Sequence, residues 1–119
     1  MPAVAIFTDY RCPFSRAMIA QLTELGAHVI EYPISILGSR DLAKAVICAP
    51  DRAKAMRDAY GRVPLPAGNC DTAGLDQNEA FADAHGITEV PVMVRSDGTV
   101  MRGYVDPDRL ADWLDTAPQ

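Results

Sequence analysis

The chain reads as a single α/β domain in which strands and helices follow the order β-α-β, two helices, then α-β-β-α. Three observations predict this. Its 119 residues leave room for one core and not two, since domains usually run to roughly 100–150 residues. Hydrophobic residues make up 49% and charged residues 23%, a globular balance far from the compositions that stay disordered. Short β-branched runs alternate with stretches of helical period.

Val4 to Thr8 is β-branched and aromatic and suits a buried strand. Arg11-Cys12-Pro13 then switches the chain into a helix, with Met18, Leu22 and Leu25 at i, i+4, i+7 and Gly26 where a C-cap belongs. Ala27 to Tyr32 predicts a second strand, ended by Pro33. Leu42, Ala45, Val46 and Ala49 share a helical face, Pro50 interrupts, and Ala53, Met56 and Tyr60 continue a second short amphipathic helix. Glycines and prolines between Gly61 and Gly74 predict a loop, so the whole helical insertion spans about residues 38–74. Asp76 with Glu79 has capping-box spacing ahead of Ala80, Phe81 and Ala84, and Gly86 stops that helix. Pro91 to Arg95 and Thr99 to Tyr104 form a hairpin through Ser96-Asp97-Gly98, where Asp-Gly is the turn signal. Asp106-Pro107 starts a last helix with Leu110, Trp113 and Leu114 on one face.

Charge excludes some functions. A formal net charge of −5 gives no general attraction to phosphate backbones or anionic membranes, so nucleic acid is not an expected partner. The longest apolar runs, Val4 to Phe7 and Val90 to Val94, are four and five residues, far below the roughly 18 that cross a bilayer. Neither a basic stretch nor an apolar signal core follows Met1, which predicts a chain without its own leader, cytosolic or trimmed. Cys12, Cys48 and Cys70 make an odd count, which in an exported protein means one pair and one thiol left for chemistry.

Cys12 is the candidate for that chemistry. At a helix start it faces unpaired backbone N–H groups and the positive end of the helix dipole, both of which favour thiolate, the nucleophilic form. Arg11 and Arg16 flank it, and each either adds positive charge or points into water. The plain alternative is a buried structural cysteine. A phosphatase or arsenate-reductase pattern, Cys-x5-Arg, fails because Met18 stands at the arginine position. Asp9 is a candidate proton acceptor for the thiol or simply a solvated strand-end carboxylate. His28 and His85 do not cluster with the cysteines, whose spacing fits no zinc pattern, and both read as structural.

The segment Phe7-Thr8-Asp9-Tyr10-Arg11-Cys12-Pro13-Phe14-Ser15, after a strand and opening a helix, resembles the active-site segment of the thioredoxin superfamily. Further matches follow in order: Ile47-Cys48-Ala49 with Asp51-Arg52-Ala53-Lys54-Ala55, Asn69-Cys70-Asp71, Gly86-Ile87-Thr88-Glu89-Val90-Pro91, Ser96-Asp97-Gly98-Thr99 and Gly103-Tyr104. Together they are similar to the catalytic domains of bacterial disulfide isomerases and reductases of the DsbC and DsbG type, over nearly the whole chain. The resemblance implies a thioredoxin-like fold, a central mixed sheet flanked by helices, and thiol-disulfide oxidoreduction on exported, periplasmic proteins. It makes Cys12 the nucleophile and puts Ser15 where the resolving cysteine stands. Pro13, Phe14, the Val90 backbone and a cis Pro91 would line the substrate groove. Cys48 and Cys70 match the second, non-catalytic disulfide, whose closure of a loop of about 22 residues is worth about 3 kcal/mol. No cofactor and no metal are implied. Substrates are protein or small-molecule thiols and disulfides, and the electron donor is a DsbD-like membrane reductase. The isomerases resembled carry an N-terminal dimerisation domain that nothing before Val4 supplies, so a monomeric reductase or a cut-out catalytic domain is expected.

Ser15 departs from the family pattern. It is either an engineered replacement of a cysteine or a native residue marking a monothiol enzyme resolved by a small thiol; its hydroxyl can also bond backbone in the first helical turn. Two other function classes stay open. A monothiol glutaredoxin-like module would want Cys-Gly-Phe-Ser, against which Pro13 and the Cys48 and Cys70 match both argue. A non-catalytic thioredoxin-fold binding or chaperone module draws its support from Ser15.

Overall fold

The computed structural model describes residues 3–116. Its elements are β1 (Ala3–Thr8), α1 (Pro13–Glu24), β2 (His28–Pro33), α2 (Arg40–Ile47), α3 (Arg52–Tyr60), α4 (Ala73–Ala84), β3 (Val92–Arg95), β4 (Val100–Arg102) and α5 (Pro107–Asp115). The four strands make one mixed sheet of order β2-β1-β3-β4. β1 runs parallel to β2, with Ala3 opposite His28 and Phe7 opposite Tyr32. On its other side β1 is antiparallel to β3, with Val4 opposite Arg95 and Phe7 opposite Val92. The strand that leads into Cys12 is therefore interior, which explains its continuous apolar run.

Successive β1 side chains point to opposite faces and so serve two cores. Val4 and Ile6 pack with Met18, Leu22, Met93, Leu110 and Trp113 beneath α1 and α5. Phe7 joins Ile34, Ala82, Ile87 and Val92 under α4. A third cluster of Tyr10, Ala43, Val46, Ala55, Ala59, Tyr60 and Leu75 holds the inserted helices against the start of α4. The hairpin is tied to α5 by Arg95, whose Nη1 donates to the Trp113 carbonyl at 2.7 Å while Nη2 meets Asp97 at 2.6 Å. That ion pair holds the Asp97 carboxyl well below the usual carboxylate range.

Several boundaries differ from the sequence reading. α4 begins at Ala73 with Thr72 as its N-cap, so the insertion closes before Ala73 and the predicted loop is shorter. Asp76 and Glu79 are not a capping box: both carboxylates bind Arg40 at the start of α2. The i, i+3 spacing puts them on one helix face, where an arginine from another element takes them up. β3 starts after Pro91, which has no N–H to give a ladder, although its carbonyl still accepts the Gly103 N–H at 2.8 Å. β4 stops at Arg102 because Gly103 turns to φ 77°, the left-handed region that favours glycine.

Candidate active site

Cys12 is the N-cap of α1, with extended backbone at φ −93° and ψ 114°. Pro13 follows at the first helical position, where a missing N–H costs nothing and a fixed φ suits the helix. The Arg16 N–H reaches the Cys12 carbonyl at 3.2 Å, and the Cys12 N–H donates back to the Asp9 carbonyl at 2.9 Å. The thiol itself makes no capping hydrogen bond to the first turn. Cys12 is 6% exposed, while Arg11, Pro13 and Phe14 around it face solvent.

The turn that carries Cys12 is held from below by Asp9. This carboxylate is fully buried, and its two oxygens accept the backbone N–H groups of Arg11 and Leu37, each at 2.9 Å. Hydrogen bonds to a charged acceptor contribute about 1.5–3 kcal/mol each, so Asp9 fastens the active-site turn to the loop after β2. Of the two roles considered for Asp9 from sequence, the solvated strand end is overturned by this full burial. Arg11 makes a second link to the same loop through Nη1 and the Gly38 carbonyl at 2.7 Å. Ser15 is also fully buried, and its Oγ accepts the Asp9 N–H at 3.3 Å.

The opposite wall comes from 78 residues away in sequence: Cys12 Sγ lies 3.9 Å from the Val90 carbonyl. The Val90–Pro91 peptide bond is cis. The Pro91 ring is buried and its carbonyl is engaged by Gly103, so what this segment turns toward the thiol is the Val90 backbone. Phe14 is 57% exposed and Tyr104 50% exposed, with ring centroids 6.0 Å apart. Ile36 and Leu37 are exposed on the loop that Asp9 and Arg11 anchor. The thiol therefore lies in a shallow groove with apolar flanks.

A buried polar group lies on the other side of the active-site turn, and sequence reading missed it. Tyr10 packs edge-on against Tyr60 at 5.1 Å, and Tyr60 Oη donates to Glu31 Oε2 at 3.2 Å. Burial pushes the Glu31 carboxyl up from its ordinary value, against hydrogen bonds that favour its charge. Burial and the nearby Glu31 push both tyrosines up, so they stay phenols throughout the neutral range. The available signal was a single carboxylate between Ile30 and Tyr32 in β2.

Cys48, at the end of α2, is joined to Cys70, with Cα atoms 5.6 Å apart. Bonded to each other, neither is a free thiol, and Cys12 is the free cysteine among the described residues. His28 and His85 are both exposed, and His85 stacks on Phe81 at 4.1 Å. Among the described residues, no group of three His, Cys, Asp or Glu side chains is placed to hold a metal ion. A cavity of about 520 Å³ lined by Tyr10, Glu31, Arg52 and Asp71 lies between the insertion and α4 and does not include Cys12.

Comparison with known proteins points the same way. The family of thioredoxin-like domains is matched over residues 1–118. The thiol:disulfide interchange protein DsbC of Escherichia coli is 27% identical over 119 residues, covering 94% of this chain and 50% of that protein. The chain thus spans half the length of the curated relatives it matches. A disulfide interchange protein from Neisseria gonorrhoeae superposes with a TM-score of 0.79 at 25% identity, covering 99% of this chain and 89% of that one. ScsC of Proteus mirabilis in its compact conformation shares the fold, with a TM-score of 0.74 at 22% identity over 96% of this chain and 66% of its own.

Proposed function

The chain belongs to the family of thioredoxin-like domains, and from that premise we propose that it is a thiol-disulfide oxidoreductase whose nucleophile is Cys12. The observation that carries the reading is the placement of the free thiol at the start of α1, 3.9 Å from the Val90 carbonyl and beside the exposed Pro13 and Phe14. The Cys12 thiolate attacks one sulfur of a substrate disulfide. A Cys12–substrate disulfide forms, the substrate bond breaks, and the second substrate sulfur leaves as thiolate. The attacking sulfur stands at the N-cap of α1, the positive end of the helix dipole.

Substrates are exported proteins presenting an extended segment, which the Val90 backbone orients while Phe14, Pro13 and Tyr104 offer apolar contact. Pro91 shapes the groove from beneath. The Cys48–Cys70 disulfide is structural. Residues 1–119 act as one thioredoxin-like unit, a monomer in the periplasm. Supporting this assignment are the interchange activity named for the DsbC and Neisseria relatives and an oxidised cysteine pair.

Insulin reduction in excess thiol tests it. The protein should accelerate precipitation of the insulin B chain, and Cys12→Ser should remove the acceleration. Buried Ser15 favours a second reading, a binding module that keeps the fold without turnover. No acceleration by the unaltered protein would establish that reading instead.

A further inference from the structure

Resting on the thiol-exchange reading above, we infer that the thiol that frees Cys12 from its mixed disulfide is a small anionic one, selected by Arg11 and Arg16. The chain as it stands lacks an internal thiol for that step. Ser15 is buried and its hydroxyl is engaged with Asp9, while Cys48 and Cys70 are bonded to each other. Release must come from outside, at a sulfur that is almost wholly covered, which favours a slender donor.

The chain carries a net charge of −5, yet the first turn of α1 has no acidic residue, and arginines stand before and after Cys12 in sequence, at positions 11 and 16. Arg40, Lys54 and Arg95 are in ion pairs; Arg11 and Arg16, like Lys44, Arg52, Arg57, Arg62, Arg102 and Arg109, are in none among the described residues. Both are exposed. Each spends one N–H on a backbone carbonyl, Arg11 on Gly38 at 2.7 Å and Arg16 on Tyr60 at 3.2 Å, and leaves the rest of its fork for an anion. Pinned heads lose little freedom when a carboxylate arrives. The acidic residues beside these segments are Asp9, whose oxygens are both engaged, and exposed Glu89, next to Val90 in sequence.

The chemistry balances with two donor thiols. The first donor thiolate attacks Cys12 Sγ; the Cys12–substrate bond breaks, and the substrate sulfur leaves as thiolate and takes a proton from water. The second attacks the donor sulfur now bound to Cys12, and Cys12 leaves as thiolate. Two donor thiols become one disulfide, and the substrate disulfide has become two thiols.

Loading Cys12 with hydroxyethyl disulfide gives an uncharged mixed disulfide whose release can be followed by acid quench and mass spectrometry. Reduced glutathione, 2-mercaptoethanol and cysteamine are compared at equal thiolate concentration. Glutathione should exceed 2-mercaptoethanol about tenfold at low salt, the low end of what charge steering supplies, with cysteamine slowest. Arg11→Gln with Arg16→Gln should bring the ratio near one, Glu89→Gln should raise it, and molar salt should collapse it as the Debye length shortens. A ratio unmoved by the arginine pair or by salt overturns the inference while leaving exchange at Cys12 intact. Failure of Cys12 to take up hydroxyethyl disulfide at all overturns the exchange reading itself, and this inference with it.

Discussion

Replacing Cys48 and Cys70 together by alanine isolates the contribution of the bridge. The two residues are 22 apart in sequence, and closing a loop of that size removes about 3 kcal/mol of chain entropy from the unfolded state at 25 °C. Packing adds little, because Cys70 is exposed and Cys48 only half-buried; lost contacts should cost under about 1 kcal/mol. With 119 residues, the entropy of the thermal transition is about 0.25 kcal/mol/K, so 3 kcal/mol corresponds to a fall in Tm of about 12 °C. Thermal and urea unfolding followed by far-ultraviolet circular dichroism measures both terms. The urea m-value should rise as well, since an unlinked unfolded chain exposes more surface. Alkylation of Cys12 in the folded double variant should proceed as in the parent, the bridge being structural. A Tm loss under about 4 °C with an unchanged m-value would refute the loop-closure account.

Ser15→Cys places a thiol one turn from Cys12, within the roughly 7 Å Cα separation that a disulfide spans; an internal disulfide and faster insulin reduction are expected, and non-reducing mass spectrometry reads the first. The same change gives up the oxygen that accepts the Asp9 N–H, so the reduced variant should lose about 1 kcal/mol of stability in urea. Glu31 has a folded-state pKa above its unfolded value, so its favourable contribution is complete below about pH 4.5 and is lost as pH rises through the raised value. Glu31→Gln should therefore gain stability relative to the parent between acid and neutral pH, read as a growing difference in urea midpoint; a difference that stays flat with pH contradicts the burial of that carboxyl. A Cβ at Gly68 would lie 2.5 Å from the Lys44 carbonyl oxygen, so Gly68→Ala must push the 61–72 loop off α2, at about 1–3 kcal/mol, measurable by the same urea titration.

What the sequence determined by itself is the part encoded between near neighbours. The apolar run of Val4 to Thr8, the i, i+4 spacing of Met18 and Leu22, Pro13 at a helix start and Asp97-Gly98 at a turn each specify local backbone. That is enough to set the order of the elements and to put Cys12 at the junction of β1 and α1. Motif spacing over the whole chain added the resemblance to thioredoxin-like interchange domains, and with it the pairing of Cys48 with Cys70. Tertiary structure decided the rest. The spacing of Asp76 and Glu79 suits a cap or an arginine clamp equally well, and only the approach of Arg40 from α2 selects the clamp. Asp9 and Glu31 look like ordinary strand carboxylates until Leu37 and Tyr60 reach them from distant segments. The Val90 carbonyl meets Cys12 across 78 residues because β3 returns antiparallel beside β1. Backbone conformation follows from a residue and its neighbours, whereas the burial of a polar group and the partner that satisfies it depend on which remote surfaces the sheet brings together.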